Sequence, residues 1–261
     1  MYVENIKLKD SRVLVIGDLH LTGKDNLSFR NEEKLIIKIS EIIDKNNPEV
    51  VIFIGDILEF DLTNTKNFLE SKIGKSFVDI FSNPKIKFYI LRGNHDPSDL
   101  PNLISEINKS QPHLIDIVKL SLNQRQIWIE HGDTPILKST TQNQNSNLIS
   151  LITKTSKYWG PITASKPISI LIFYLLSIPY RLESGRIIFG KFLNNKLIHF
   201  VTSNLKEFSN FNELIFGHTH YFDQVNLENG KKLFFTGLCA NGYINYINIT
   251  PSGSDLISER Y

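Results

Sequence analysis

Cysteine is nearly absent from this chain: Cys239 is its one thiol, so no internal disulfide can form. Charge of one sign is also lacking. A formal net charge of +2 over 261 residues does not by itself argue for a nucleic-acid partner. The first residues, "MYVENIKLKDSRVLVIG", do not follow the basic, apolar, small-residue order of a secretory signal, and a reducing cytoplasm is the expected compartment. Long apolar runs are missing too. The longest stretch singled out, "PISILIFYLLSIPY" at 167–180, has fourteen uncharged residues, whereas a spanning helix needs about 20. No internal repeat recurs at a fixed period. What remains is a chain with 41% hydrophobic residues, enough to bury a substantial core as one decorated domain spanning 1–261.

Short β-branched runs alternate with segments of helical period, the pattern of stacked βα units. "RVLVIGDLH", "EVVIFIGD", "IKFYILRGNHD", "QIWIEHGD" and "ELIFGHTH" each break from an apolar run into glycine and polar residues. Each reads as a buried strand. Between the first two, "EEKLIIKISEIIDKNNPE" spaces its apolar residues for a crossover helix stopped at Pro48. In "FDQVNLENGKKLFFTG", two strand-like runs flank Asn229-Gly230, a favoured hairpin turn, so antiparallel strands are expected to close the chain.

Sites in α/β sheets form where strands reach their carboxyl ends. The polar clusters stand there: Asp18 and His20, Asp56, Asn94 and His95, His131, and His218 with His220. Five of the seven histidines fall in these clusters, leaving His113 and His199 as ordinary surface or core residues. Carboxylate, imidazole and amide oxygen without thiolate suit hard or borderline divalent ions, with manganese expected and iron or zinc as alternatives. The ligands are numerous enough for two ions. An aspartate between two metals about 3.5–4 Å apart can bridge them, and such a pair activates a water against a phosphoryl group.

The ordered set GDLH, GD, GNHD, HGD and GHTH, from Gly17 to His220, resembles the signature of the calcineurin-like metallophosphoesterases. The resemblance implies a two-sheet α-β-β-α sandwich with a helical cap insert. It implies that Asp18, His20 and His220 hold one metal, that Asn94, His131 and His218 hold the other, and that Asp56 bridges them. His95 matches the histidine that faces the scissile phosphate and protonates the leaving oxygen, and Asp96 would orient it. "FFTGLCANG" resembles the segment that returns a strand to the second sheet, with Cys239 a small buried hydrophobe.

The substrate reading rests on the segment at about 134–210. It carries nine Lys or Arg against Glu183 and Glu207, a balance of +7, while the rest of the chain is near −5. That asymmetry points to an anionic partner. A polar run, "KSTTQNQNSN", precedes the apolar 167–180, which Lys166 and Arg181 flank as in segments that touch anionic headgroups. The segment is read either as a cap buried on the sheet or as a lid with an apolar wall over a lipid-linked phosphoester or pyrophosphate, with peripheral membrane contact through 166–181. "GDILEFD" and the basic insert are most similar in layout to the UDP-2,3-diacylglucosamine pyrophosphatase group of lipid A synthesis, although that group commonly has arginine where His95 stands. A non-catalytic protein-binding scaffold is the third reading, and it is disfavoured because every ligand position is filled.

Overall fold

The first apolar run folds as a strand because its residues are branched and buried on both faces. The computed structural model describes residues 1–23, 31–59, 63–97, 99–100, 102, 104–105, 112–135, 183–240 and 242–261. In chain order the elements are β1 (Val3–Leu8), β2 (Val13–Ile16), α1 (Glu32–Asn46), β3 (Val50–Phe53), α2 (Thr65–Glu70), α3 (Lys72–Ile80), β4 (Lys87–Leu91) and β5 (His113–Ile115). There follow β6 (Ile117–Leu122), β7 (Arg125–Glu130), α4 (Glu183–Ser203), β8 (Glu213–Phe216), β9 (Asp223–Asn226), β10 (Lys232–Phe235), β11 (Tyr243–Thr250) and β12 (Gly253–Arg260).

The strands make two six-stranded sheets, ordered β1-β6-β7-β8-β10-β9 and β12-β11-β2-β3-β4-β5. Strands β2, β3, β4 and β5 run parallel, and β11 joins β2 antiparallel. Side chains alternate between the two faces of each sheet, and the alternation sorts the core into three layers. Val13, Val15, Val50 and Ile52 meet Val118, Leu120, Ile127, Ile129 and Ile215 between the sheets. Leu14, Ile16, Val51 and Phe53 point the other way, under Leu35, Ile39 and Ile42 of α1 and Phe77 of α3. On the far side, Trp128, Leu214, Phe216 and Leu233 lie under Leu197, Phe200 and Val201 of α4. This is the expected α-β-β-α sandwich. Each buried Leu, Ile or Phe stabilises it by about 1.5–3 kcal/mol.

The crossover helix begins where the Asn31 side chain accepts from the Lys34 amide at 3.0 Å. It ends at Asn46, and Asn47 takes the left-handed conformation just before Pro48. The hairpin around Asn229-Gly230 pairs β9 with β10 antiparallel. Only the C-terminal part of the anticipated cap insert falls within the described residues. Residues 183–203 of the anticipated cap insert are α4, and its spacing of Leu197, Phe200 and Val201 buries it as the outer layer of the first sheet. The polar run, the apolar 167–180 and its flanking Lys166 and Arg181 lie outside the described residues. Among the described residues, no helix is long and apolar enough to cross a membrane.

Candidate metal centre

Five strand ends from two sheets deliver the polar clusters to one place: β2, β3 and β4 from one sheet, β7 and β8 from the other. The loops that follow them are bound tightly to each other. Both Leu19 and His20 donate their amides to the Asp56 carbonyl, at 3.1 and 2.7 Å. The Asp56 carboxylate accepts the His95 amide at 2.9 Å, and that of Asp18 accepts the His218 amide at 2.8 Å. His20, Asp56, His218 and His220 all have φ between 46° and 62°, a left-handed backbone that costs a non-glycine residue on the order of 1–3 kcal/mol. Four strained residues at one spot mark a site whose geometry the surrounding fold imposes.

The glycines of these motifs make room for the carboxylates. A Cβ at Gly93 would stand 2.2 Å from both the amide nitrogen and Oδ1 of Asp56, and one at Gly217 would stand 2.5 Å from Asp18 Oδ1. Any side chain at either position would displace an acidic group.

The donor atoms of Asp18, His20 and His220 lie within 4.8 Å of one another, as do those of Asp56, His131 and His218, and those of His20, Asp56 and His95. Asp56 stands between the first two groups: its Oδ2 is 3.5 Å from His20 Nε2 and 3.3 Å from His131 Nε2. Asn94 Oδ1 is 3.4 Å from His131 Nε2, and His220 Nε2 is 3.1 Å from His20 Nε2. All seven residues anticipated as ligands are thus in one cluster. His113 and His199 are exposed on β5 and α4, away from it, and Cys239 is buried.

Whether divalent ions fit here is decided by the second ring nitrogen of each histidine. His131 Nδ1 lies 2.9 Å from the Ile54 carbonyl, to which it donates, leaving its Nε2 lone pair toward Asp56 and Asn94. His20 Nδ1 lies 3.0 Å from Glu59 Oε2, and donation there turns its Nε2 lone pair toward Asp56 and His220. A metal-ligating histidine has its other N–H held in this way. Burial, followed by the charge of His131, lowers His218 to about 3, and burial with His20 depresses His220 well below its usual value. Both are therefore neutral at pH 7 and have lone pairs to give. His131 behaves oppositely: burial alone would lower it, but Asp56, Asp18 and Asp133 push it up to about 10. The same carboxylates would hold a divalent cation in place of that proton, which would free the Nε2 lone pair as a ligand. Burial, with Asp56 nearby, raises Asp18 to about 7, and its Oδ1 is buried without a hydrogen-bond partner. Burial would raise Asp56 too, but His131 and the neighbouring histidines hold it well below the usual carboxylate range. A buried acceptor without a donor and a buried carboxyl that resists ionisation, both at Asp18, are relieved by divalent cations.

His95 is more open than His20, His131 or His220, and it stands beside an exposed Asn94. Its side chain is 31% accessible, against 1% for His131 and 4% for His20. Its Nδ1 lies 3.1 Å from Glu59 Oε1. Orientation of His95, anticipated for Asp96, falls to Glu59 in this geometry. Asp96 is turned to the backbone, accepting the amides of Ile57 at 2.7 Å, Leu58 at 3.2 Å and Gly93 at 3.2 Å. Burial, with Asp56 second, raises Asp96 to about 6. Glu59 is a site residue that the sequence did not single out, although it stands three residues after Asp56 in "GDILEFD". Burial would raise its carboxyl, but the hydrogen bonds from His20 and His95 outweigh that and hold it well below the usual carboxylate range.

A family model described as calcineurin-like phosphoesterase matches residues 11–222. Among solved structures, a predicted phosphoesterase from Streptococcus pneumoniae is 12% identical, with 97% of this chain and 99% of that chain covered at a TM-score of 0.33. Vps29 from Entamoeba histolytica, solved with zinc, is 13% identical over 96% of this chain and 98% of that one, with a TM-score of 0.38. No curated protein matches the chain.

Proposed function

Because this chain belongs to the calcineurin-like phosphoesterase family, we propose that it hydrolyses a phosphoester or pyrophosphate bond at a centre of two divalent ions. In this reading Asp18, His20 and His220 would hold one ion, Asn94, His131 and His218 would hold the other, and Asp56 would be shared between them. The observation that carries it is the position of Asp56 Oδ2, 3.5 Å from His20 Nε2 and 3.3 Å from His131 Nε2. Two such ions supply a nucleophilic water at neutral pH and neutralise the oxygens of the transferring phosphoryl group. Oxygen and imidazole donors without thiolate favour manganese, with iron and zinc as alternatives.

The chain's own residues do the rest. Glu59, an anion, fixes the Nδ1–H tautomer of His20 and orients the ring of His95 through its Nδ1–H. His95, reachable from solvent, would hold a proton at Nε2 and pass it to the leaving oxygen. Asp96 clamps the loops after β3 and β4 through three backbone amides, keeping Asn94 and His95 beside Asp56.

The test is hydrolysis of bis(p-nitrophenyl) phosphate and p-nitrophenyl phosphate by metal-stripped protein, with manganese, zinc, iron or magnesium restored and Asp56→Asn as control. Manganese-dependent turnover that the control lacks supports the reading. Turnover that survives metal removal, or that Asp56→Asn retains, refutes it. A lipid-linked substrate is the narrower reading, supported by the +7 balance of 134–210. It predicts a kcat/KM for a lipid-linked phosphoester well above that for either soluble ester. The position of His95 separates the chain from the UDP-2,3-diacylglucosamine pyrophosphatases that its layout resembles, so that particular glycolipid is one substrate to assay among several.

A further inference from the structure

We infer that Glu32, in the first turn of α1, is a positioning residue for the metal centre, acting through the loop that bears His20. Nothing in the chemistry of the site requires a carboxylate there. Yet Glu32 has no exposed surface, and a charged group is rarely buried unless it is bound on all sides. Its Oε1 accepts the Thr22 amide at 3.0 Å and the Thr22 hydroxyl at 2.8 Å, and its Oε2 accepts the Gly23 amide at 2.9 Å. Hydrogen bonds to an ionised acceptor are the strong ones, and these three converge on the turn two residues beyond His20.

That turn follows His20 directly in the loop from β2. Its near side is already zipped to the loop from β3: Leu21 donates to the Ile57 carbonyl at 2.7 Å, and Glu59 donates its amide to the Leu21 carbonyl at 2.9 Å. Its far side is wedged, since a Cβ at Gly23 would lie 3.0 Å from Ser71 Oγ and 3.2 Å from a ring carbon of Phe68. Glu32 closes the loop between these two supports. The line of bonded groups therefore runs from Glu32 to Thr22 and Gly23, along the backbone to Leu21, across to Glu59, and from Glu59 to the Nδ1 atoms of His20 and His95. His20 sits within it in a left-handed conformation, with φ of 46°, which it would leave if the loop were released. This inference rests on the two-metal reading given above. It adds that Glu32 sets the affinity of the ion held by Asp18, His20 and His220, and the alignment of His95, without touching either.

The experiment compares wild type, Glu32→Gln and Thr22→Val, each stripped of metal and titrated with manganese in a calorimeter below its melting temperature. Glu32→Gln keeps the shape but has one acceptor oxygen where three donors need two. One manganese site is expected to weaken about 10- to 100-fold in this variant, the loss typical when an outer partner of a ligand is removed, while the other site is unchanged. At saturating manganese, kcat should fall with KM preserved. Thr22→Val removes the hydroxyl alone and should show the same selective weakening on a smaller scale. Equal affinities at both sites in all three proteins, with only the melting temperature lowered, would make Glu32 a purely structural residue and overturn the inference. Failure of wild type itself to bind manganese would instead refute the two-metal reading on which it rests.

Discussion

Glu59 and His95 face each other with Oε1 and Nδ1 3.1 Å apart, while the other carboxylate oxygen of Glu59 lies 3.0 Å from His20 Nδ1. One acid thus serves a buried histidine and a partly exposed one. An acceptor-only carboxylate requires a hydrogen on both Nδ1 atoms, which leaves the Nε2 atoms for the chemistry. Removing the charge should disturb both. Glu59→Gln is expected to lower kcat by about 10²-fold or more and to weaken manganese binding about 10- to 100-fold. Steady-state kinetics together with metal titration checks this, and a variant with wild-type kcat would show that Glu59 orients neither ring.

His95→Ala isolates the second of these roles. If His95 delivers the proton, the variant keeps two ions and loses about 10²–10⁴-fold in kcat. The loss should shrink for substrates with good leaving groups, which need no proton. Its donor atom also lies within 4.8 Å of those of His20 and Asp56. Metal analysis of the purified variant therefore decides between acid and ligand: one ion missing would make His95 a ligand.

Much of this centre is legible in the sequence, and the reason is local. Each continuous apolar run ends in glycine and polar residues, and the chain has little choice about where such residues go once β2, β3, β4, β7 and β8 are buried. The spacing of Leu35, Ile39 and Ile42 likewise marks α1. What was hidden depends on tertiary direction. Glu59 looks like any polar residue after a strand until the left-handed turn at Asp56 aims the segment back at His20 and His95. Asp96 adjoins His95 in sequence, yet the turn sends its carboxylate to the amides of Ile57 and Leu58. The long-range parallel pairing of β1 with β6 and of β8 with β10 leaves no local signature. Within 134–210, the composition shows the charge balance but not that Leu197, Phe200 and Val201 of α4 cover Trp128 and Leu214, a contact set by tertiary packing.

Gly93→Ala tests the close approach behind Asn94. The added methyl would stand 2.2 Å from a backbone nitrogen and from a carboxylate oxygen of Asp56. Backbone cannot rotate away as a side chain can, so a stability loss of at least about 1–3 kcal/mol is expected, with metal content reduced. A denaturant melt and metal analysis suffice, and a variant as stable as wild type with both ions would contradict the packing described.

Acid sensitivity should include a contribution far from the centre. The Tyr246 hydroxyl donates to Glu259 Oε1 at 2.7 Å, and Lys38 and Lys45 lie 3.0 and 3.5 Å from the same carboxylate. These partners, Tyr246 first, hold Glu259 below its ordinary value. A depressed carboxyl stabilises the fold above its unfolded pKa of about 4.3 and ceases to do so as pH falls through the folded value. Wild type should therefore melt above Glu259→Gln at pH 7, and the gap should close on acidification below about pH 4. A gap independent of pH would show that the carboxylate charge contributes nothing.

The bridging position of Asp56 is the central claim, and paramagnetic resonance of the manganese-loaded protein tests it most directly. Two manganese ions per chain with an exchange-coupled signal, replaced in Asp56→Asn by an uncoupled signal and lower metal content, is the predicted result. A wild-type protein that binds a single ion, or two ions without coupling, would contradict it.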